Sequence, residues 1–356
     1  MKSTIDPDPM QQNTSQTQPY PPSFINRFMD FVERLPIPYW LTYLLLFMLQ
    51  SIILHVVAWV DGWVPAFTFS PMIILFPLWL WGPLAIVTYL DSISLEALSS
   101  FSPLMDIQPE TMRRLKYEFT TMPARSVIIS SLIWSGIYFV FTYMAFDTVY
   151  VAYGYGTFLA VITIIVGLLS FSIGSVIYYH SVRQLRLVNH TVRMVKQFDL
   201  YRLDPVYAFS VVTSRTGVSW VILISLTLLI VPIQSAYIPI LVTLISQVVL
   251  AIAALVLPLQ IVHHRLVLEK RRQLAEHDQR VKTMLARLHR CLDDNELGEV
   301  DQLNSALTGL NIERDILAKI PTWPWRAGTL TGFLSIVVLP IVLFLIQLLL
   351  GNLLDK

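Results

Sequence analysis

Seven long stretches of almost purely apolar sequence, with lysine and arginine confined to alternate gaps between them, constrain this chain more than any other feature. A bilayer's hydrocarbon core is about 30 Å thick, and a helix needs about 20 apolar residues to cross it. The stretches Trp40–Val60, Ala66–Leu90, Val127–Phe146, Gly156–Tyr179, Val218–Ile233, Ile238–Val262 and Thr329–Leu350 reach that length or come close to it. Basic residues number three before the first stretch, then none, four, none, six, none and eleven in the successive gaps, and one after the last. Basic segments are retained on the cytoplasmic side of a membrane. The alternation therefore predicts an all-α fold, a seven-transmembrane helical bundle with its N-terminus in the cytoplasm and its C-terminus outside the cell membrane. Hydrophobic residues make up 55% of the chain and charged residues 14%, whereas a soluble protein spends roughly 25% of its residues on charge. That composition excludes a disordered chain, a secreted disulfide scaffold and a nucleic-acid binder. The single cysteine, Cys291, allows neither an internal disulfide nor a cysteine metal cage.

The connections divide the chain further. Residues 1–22, rich in Gln, Thr, Ser and Pro, read as a disordered tail. Ser23 is placed to cap an amphipathic helix carrying Phe24, Phe28, Phe31 and Leu35, so residues 23–38 are expected along the membrane interface. Residues 39–262 hold six spans, residues 263–321 a cytosolic helical hairpin and residues 322–356 the seventh span. In the hairpin, Val267, Leu274, Val281 and Leu288 recur at heptad spacing, with Leu285 and Leu292 extending the stripe. Asp293, Asp294, Asn295 and Gly298 supply turn chemistry. Val300, Leu303, Leu307, Leu310 and Leu317 then continue at helical spacing until Pro321 stops the run. The first arm is expected to continue the sixth span, kinked at Pro258. Such a hairpin either packs against its own cytosolic neighbours or assembles a homo-oligomer and carries output. Shorter helices are predicted over Pro109–Thr121, with Met112, Leu115 and Phe119 on one side, and around Leu185, Val188, Val192 and Val195.

Ionisable residues inside spans mark function in membrane proteins, and His55 is the one titratable group well inside an apolar stretch. Asp61 and Asp91 fall at span ends, where the expectation is contact with water. The uncharged polar residues Gln50, Ser51, Ser170, Ser246, Gln247 and Gln347 either line a narrow hydrated path or join helices by hydrogen bonds. Gly167, Ser170 and Gly174, and again Gly328, Gly332 and Ser335, form small-residue stripes that let helices approach. The other six histidines lie in cytosolic connections, and catalysis there would need His180, His263 and an acidic residue to converge. There is no phosphate loop, nucleophile elbow or HExxH motif. No catalytic, cofactor-binding or metal-binding residue is expected; the expected partner is the lipid bilayer, with no nucleic acid.

Three runs carry a resemblance: Pro205-Val206-Tyr207-Ala208-Phe209-Ser210; Leu285-Ala286-Arg287-Leu288-His289; and Ile320-Pro321-Thr322-Trp323-Pro324-Trp325 followed by Gly328-Thr329-Leu330. They resemble segments of uncharacterised multi-pass membrane proteins of bacteria, over about residues 180 to 350. The resemblance implies a prokaryotic cell membrane and carries over no catalytic residue. In topology alone the chain is similar to insect odorant and gustatory receptor channels, whose anchors are built from inner helix extensions. The expected function is a receptor, channel-like or signalling and scaffold protein that uses the hairpin for assembly or output. The alternative is an uncoupled transporter working through the uncharged polar residues.

Overall fold

The computed structural model describes residues 19–146, 156–195, 198–201, 203–230, 238–294 and 297–324, with scattered positions between 331 and 349. The helices in chain order are α1 (Phe24–Glu33), α2 (Tyr39–Val60), α3 (Leu75–Phe101), α4 (Pro109–Thr120), α5 (Ala124–Ala145), α6 (Thr157–Gly174), α7 (Val176–Met194), α8 (Asp204–Ile230), α9 (Ile238–Asp293) and α10 (Leu297–Lys319). No strand occurs among the described residues; residues 22 and 123 share one isolated bridge. Five helical stretches are long and apolar enough to cross a membrane: Tyr39–Val60, Pro71–Leu104, Ala124–Met144, Thr157–Met194 and Asp204–Ile230. Their outward faces stay apolar. Leu45, Leu49, Ile52 and Val56 on α2, and Ile129, Leu132, Ile133 and Phe139 on α5, are exposed. Apolar surface on this scale is stable against lipid and not against water. The chain is an all-helical membrane protein.

The fourth run, Gly156–Tyr179, is divided between α6 and α7 at Ser175, and two other helices depart further from the apolar runs that predicted them. The second run was expected to span Ala66–Leu90, but α3 starts after a 3₁₀ turn at Pro71–Ile74 and ends at Phe101. Its start is delayed because the segment from Asp61 to Ser70 folds as a compact loop, with Gly62 at φ 77° and Phe67 at φ 63°. Its end is delayed because Leu90, Asp91, Ser94, Ala97, Leu98 and Phe101 keep one buried face at helical spacing. Similarly, α8 begins fourteen residues before the expected Val218, at Asp204, since Val206, Phe209, Val212 and Thr213 are already buried. The short helix α4 occupies the predicted place, with Leu115 and Phe119 buried.

Three apolar clusters hold the helices together. One gathers the end of α3, α4, the second half of α7, the start of α8, Val262 and Leu266 of α9 and Leu317 of α10. A second joins α1, α2, α3, α7 and α8 around Trp220, and takes in Ile336. A third, at the far end of α2, contains Leu54, Ala58, Ile73 and Leu159. Ser23 caps α1 as its sequence suggested, but α1 splits its apolar side chains. Ile25, Met29 and Val32 are buried in the bundle, while Phe24 and Phe31 face outward.

The 56 residues of α9 form one helix, about 84 Å long at 1.5 Å per residue. The helix runs through position 258. Along its distal part lies α10, antiparallel. Lys270 reaches Ala318, His277 reaches Leu310 and Arg287 reaches Glu299. The seam on α9 alternates three and four residues through Leu274, His277, Val281, Met284, Leu288 and Cys291. Leu285 and Leu292, expected in that stripe, are 39% and 46% exposed. The heptad register puts His277, Met284 and Cys291 at the second seam position instead.

Candidate functional site

The polar feature least like its surroundings is an imidazole–carboxylate pair between α3 and α7. His180 Nε2 lies 2.8 Å from Asp91 Oδ1, with His180 2% and Asp91 7% exposed. Asp91 is thus buried within a helix and not at a wetted span end. The expectation failed because α3 extends eleven residues beyond Leu90, which carries Asp91 into packed protein. Around the pair, His180, Ser181 and Gln184 share the inward side of α7. Trp220 of α8 donates its indole N–H to Ser181 Oγ at 2.9 Å. The Gln184 amide donates to Ser94 Oγ on α3, and its oxygen accepts from Thr216 on α8 at 3.2 Å. One glutamine therefore ties three helices. Buried polar groups are costly unless bonded, and almost every atom of this layer is. The exception is His180 Nδ1, buried without a hydrogen-bond partner. The pair is a direct polar tie between α3 and α7.

Arg183, on the next turn of α7, reaches the N-terminal segment. It donates to the Tyr20 hydroxyl and lies 5.7 Å from the centre of that ring. Tyr20 in turn donates to Thr121 O at 2.8 Å, and burial pushes its phenol above the ordinary tyrosine range. Asn26 of α1 bonds both Thr120 O and Met122 N. Tyr20 and Asn26 therefore clamp the segment leading into α1 and its first turn across the α4–α5 junction and onto α7.

The sequence-selected polar residues are placed as follows. His55 bridges Ser51 O, at 2.8 Å from Nδ1, and the Ser70 N–H, at 3.3 Å from Nε2. Gln50 accepts the Trp81 indole N–H at 2.6 Å. Ser170 donates to Phe76 O at 2.9 Å. Gln247 donates to Tyr178 OH at 3.0 Å, leaving its amide oxygen buried without a partner. Gln347 lies outside the described residues. The placed residues sit in separate helix contacts and do not converge. Asp61 is also engaged, capping α6 by accepting from Gly156 N and Leu159 N at 2.9 and 3.3 Å. His263 does not join His180 and Asp91; it stacks on Trp323 with ring centres 4.0 Å apart. Among the described residues no three metal-ligating side chains come together.

At the junction of α9 with the rest, basic side chains close helix ends. Arg265 donates to Val195 O and Val192 O of α7 at 2.7 and 3.3 Å. Lys270 donates to Ala318 O and Ile320 O at the end of α10, at 2.7 and 2.8 Å. Cations belong at helix C-termini, where carbonyls lack partners. Of the heptad candidates, Leu303 and Leu317 are buried, while Val267, Leu274, Val281, Leu288 and Leu310 are half-buried. The Asp91–His180 layer escaped the sequence reading for a definite reason. Its polar residues are spaced as helix neighbours (Asp91 with Ser94, and His180 with Ser181 and Gln184), but they lie in segments read as connections. Comparison with known proteins adds nothing to this picture: no family model, no curated protein and no solved structure matches the chain.

Proposed function

We propose that this chain is a seven-span membrane transducer or scaffold, with its N-terminus in the cytoplasm and its C-terminus outside, whose hairpin, residues 263–321, carries assembly or output in the cytosol. The observation that carries this reading is the unbroken length of α9 from Ile238 to Asp293. A single helix that lies in the bundle at one end and forms the hairpin arm at the other passes on any tilt of the bundle. Arg265 and Lys270 reinforce the link by fastening α9 to α7 and to α10 within five residues of each other. The half-buried seam and the groove of 570 Å³ beside Arg280, Met284, Ala306, Leu310 and Glu313 leave apolar surface for a second copy. Homo-oligomerisation through the hairpin is therefore part of the proposal.

The test is a distance measurement in lipid nanodiscs. Spin labels are placed at Ser99, in α3, and Thr308, in α10, in a Cys291→Ser background. A rigid transducer gives one narrow distance distribution at rest and a second, discrete one when the stimulus is found. A broad distribution, from a hairpin moving independently of the bundle, overturns the reading.

A proton-coupled transporter, as distinct from the uncoupled one expected from the uncharged polar residues, is favoured by one observation, the buried Asp91–His180 pair, because intramembrane ionisable residues often serve substrate or proton pathways. Against it, Gln50, Ser170 and Gln247 are each occupied in a contact between helices. Proton uptake into liposomes that is lost in Asp91→Asn would establish it over the transducer.

A further inference from the structure

We infer that the loop between α2 and α3, residues 61–70, is a lipid-dipping finger that seats Phe67 and Phe69 in the interfacial layer of the bilayer. Phe67 is 91% exposed and Phe69 67%. Among the described residues Phe67 is the one non-glycine with positive φ, at 63°. Aromatic residues rarely adopt that backbone conformation, and strained residues persist where the surroundings hold them.

Here the surroundings hold it firmly. Thr68 N and Thr68 Oγ1 both donate to Pro65 O, at 3.1 and 2.6 Å. Trp59 donates its indole N–H to Thr68 O at 2.9 Å, and the Trp59 and Phe67 rings lie 5.6 Å apart. His55 accepts the Ser70 N–H and stacks on Phe69 with ring centres 5.2 Å apart. The outward aim of Phe67 is thus built in and not the product of a slack loop.

What covers the finger follows from its neighbours. Its apolar surface continues that of Val60, Val56, Ile53 and Ile52, the exposed apolar face of α2. That face belongs to a stretch long and apolar enough to cross a membrane. The chain carries no lysine or arginine between Arg34 and Arg113, so nothing basic at this end draws a polyanionic or acidic partner. Tryptophan at a span's end, as Trp59 is here, favours the level of the lipid headgroups, and phenylalanine beside it buries its ring at the boundary with the acyl chains.

The experiment uses full-length protein in phosphatidylcholine nanodiscs. In a Cys291→Ser background, a nitroxide is attached at Phe67→Cys and, as a control, at Gln279→Cys. Collision rates with oxygen and with a water-soluble nickel chelate are then measured. Lipid seating gives an oxygen preference at position 67 and a nickel preference at 279. A nickel preference at both positions overturns the inference and marks the loop as a surface for an aqueous partner. Hydroxyl-radical footprinting of the unmodified protein gives a second readout. Phe67, despite its geometric exposure, is oxidised several-fold less than the exposed Tyr201 after correction for intrinsic reactivity; equal oxidation would sink the finger.

Discussion

At the scale of single residues, the Asp91–His180 pair sets the sharpest expectation. Removing one partner from a buried pair strands the other in a poorly solvating environment, at a cost of about 3–5 kcal/mol. His180→Ala is therefore expected to lower the unfolding temperature steeply in detergent or nanodiscs, because His180 is the hydrogen-bond partner of the Asp91 side chain among the described residues. Replacing both residues, as Asp91→Leu with His180→Met, removes the stranded group along with the bond and recovers most of the loss. If His180→Ala unfolds at the temperature of the unmodified protein, the pair is not a structural tie between α3 and α7. The same residues show where sequence reasoning runs out. His55 was legible because it stands alone in an apolar run. Asp91 and His180 were not, since each borders an apolar run, and only the three-dimensional overlap of α3 and α7 decides that both are dry.

Helix packing turns on small residues and on the bonds around them. At Gly174 an added Cβ would run into the carbonyl oxygen of Trp79 on α3. Trp79 cannot easily retreat, since its indole N–H is held by Thr227 of α8 at 3.1 Å. Gly174→Ala is expected to separate α6 from α3 and to destabilise the protein by about 1–3 kcal/mol, the usual range for overpacking. Gly309 of α10 meets nothing within 4 Å at the same test. Gly309→Ala should instead stabilise by up to about 1 kcal/mol through helix propensity. Thermal denaturation of the two variants side by side checks the contrast, and equal shifts would contradict it. The stripe containing Gly174 was visible in the sequence; that it faces the backbone of α3 was not, because a small residue says that something comes close without saying what. Heptad spacing behaved in the same way. It located α9 and α10 but misassigned Leu285 and Leu292, since Leu attracts a pattern search whereas His277, Met284 and Cys291, which fill the seam, do not.

For the whole molecule, the decisive quantity is how many times the chain crosses the membrane. One apolar cluster brings together the end of α3, α4, the end of α7, the start of α8, Val262 of α9 and Leu317 of α10. These parts therefore share one end of the bundle. The segment before α2 lies there too, because Asn26 bonds the end of α4. Leu54 and Ala58 of α2, by contrast, pack with Ile73 and Leu159 in a separate cluster, as the opposite end requires. An even number of crossings must separate residues 23 and 263 if both lie at one end. Five helical stretches are long and apolar enough to cross, and on the topology proposed above the first half of α9 is the sixth crossing. Arg113 and Arg114 of α4, Arg193 of α7 and Arg265 and Lys270 of α9 lie on helices that contribute to that cluster, at the end the proposal assigns to the cytoplasm. On the same proposed topology the run Thr329–Leu350 is the seventh span and places the C-terminus outside. Single cysteines at Thr148, Arg113, Gln279 and Asp355, each in a Cys291→Ser background, resolve the matter with a membrane-impermeant maleimide. Intact cells should be labelled at Thr148 and Asp355, while Arg113 and Gln279 react only after permeabilisation. Labelling of Asp355 together with Gln279 would make the number of spans even and would leave the last apolar run on the cytosolic side, beside the hairpin it follows.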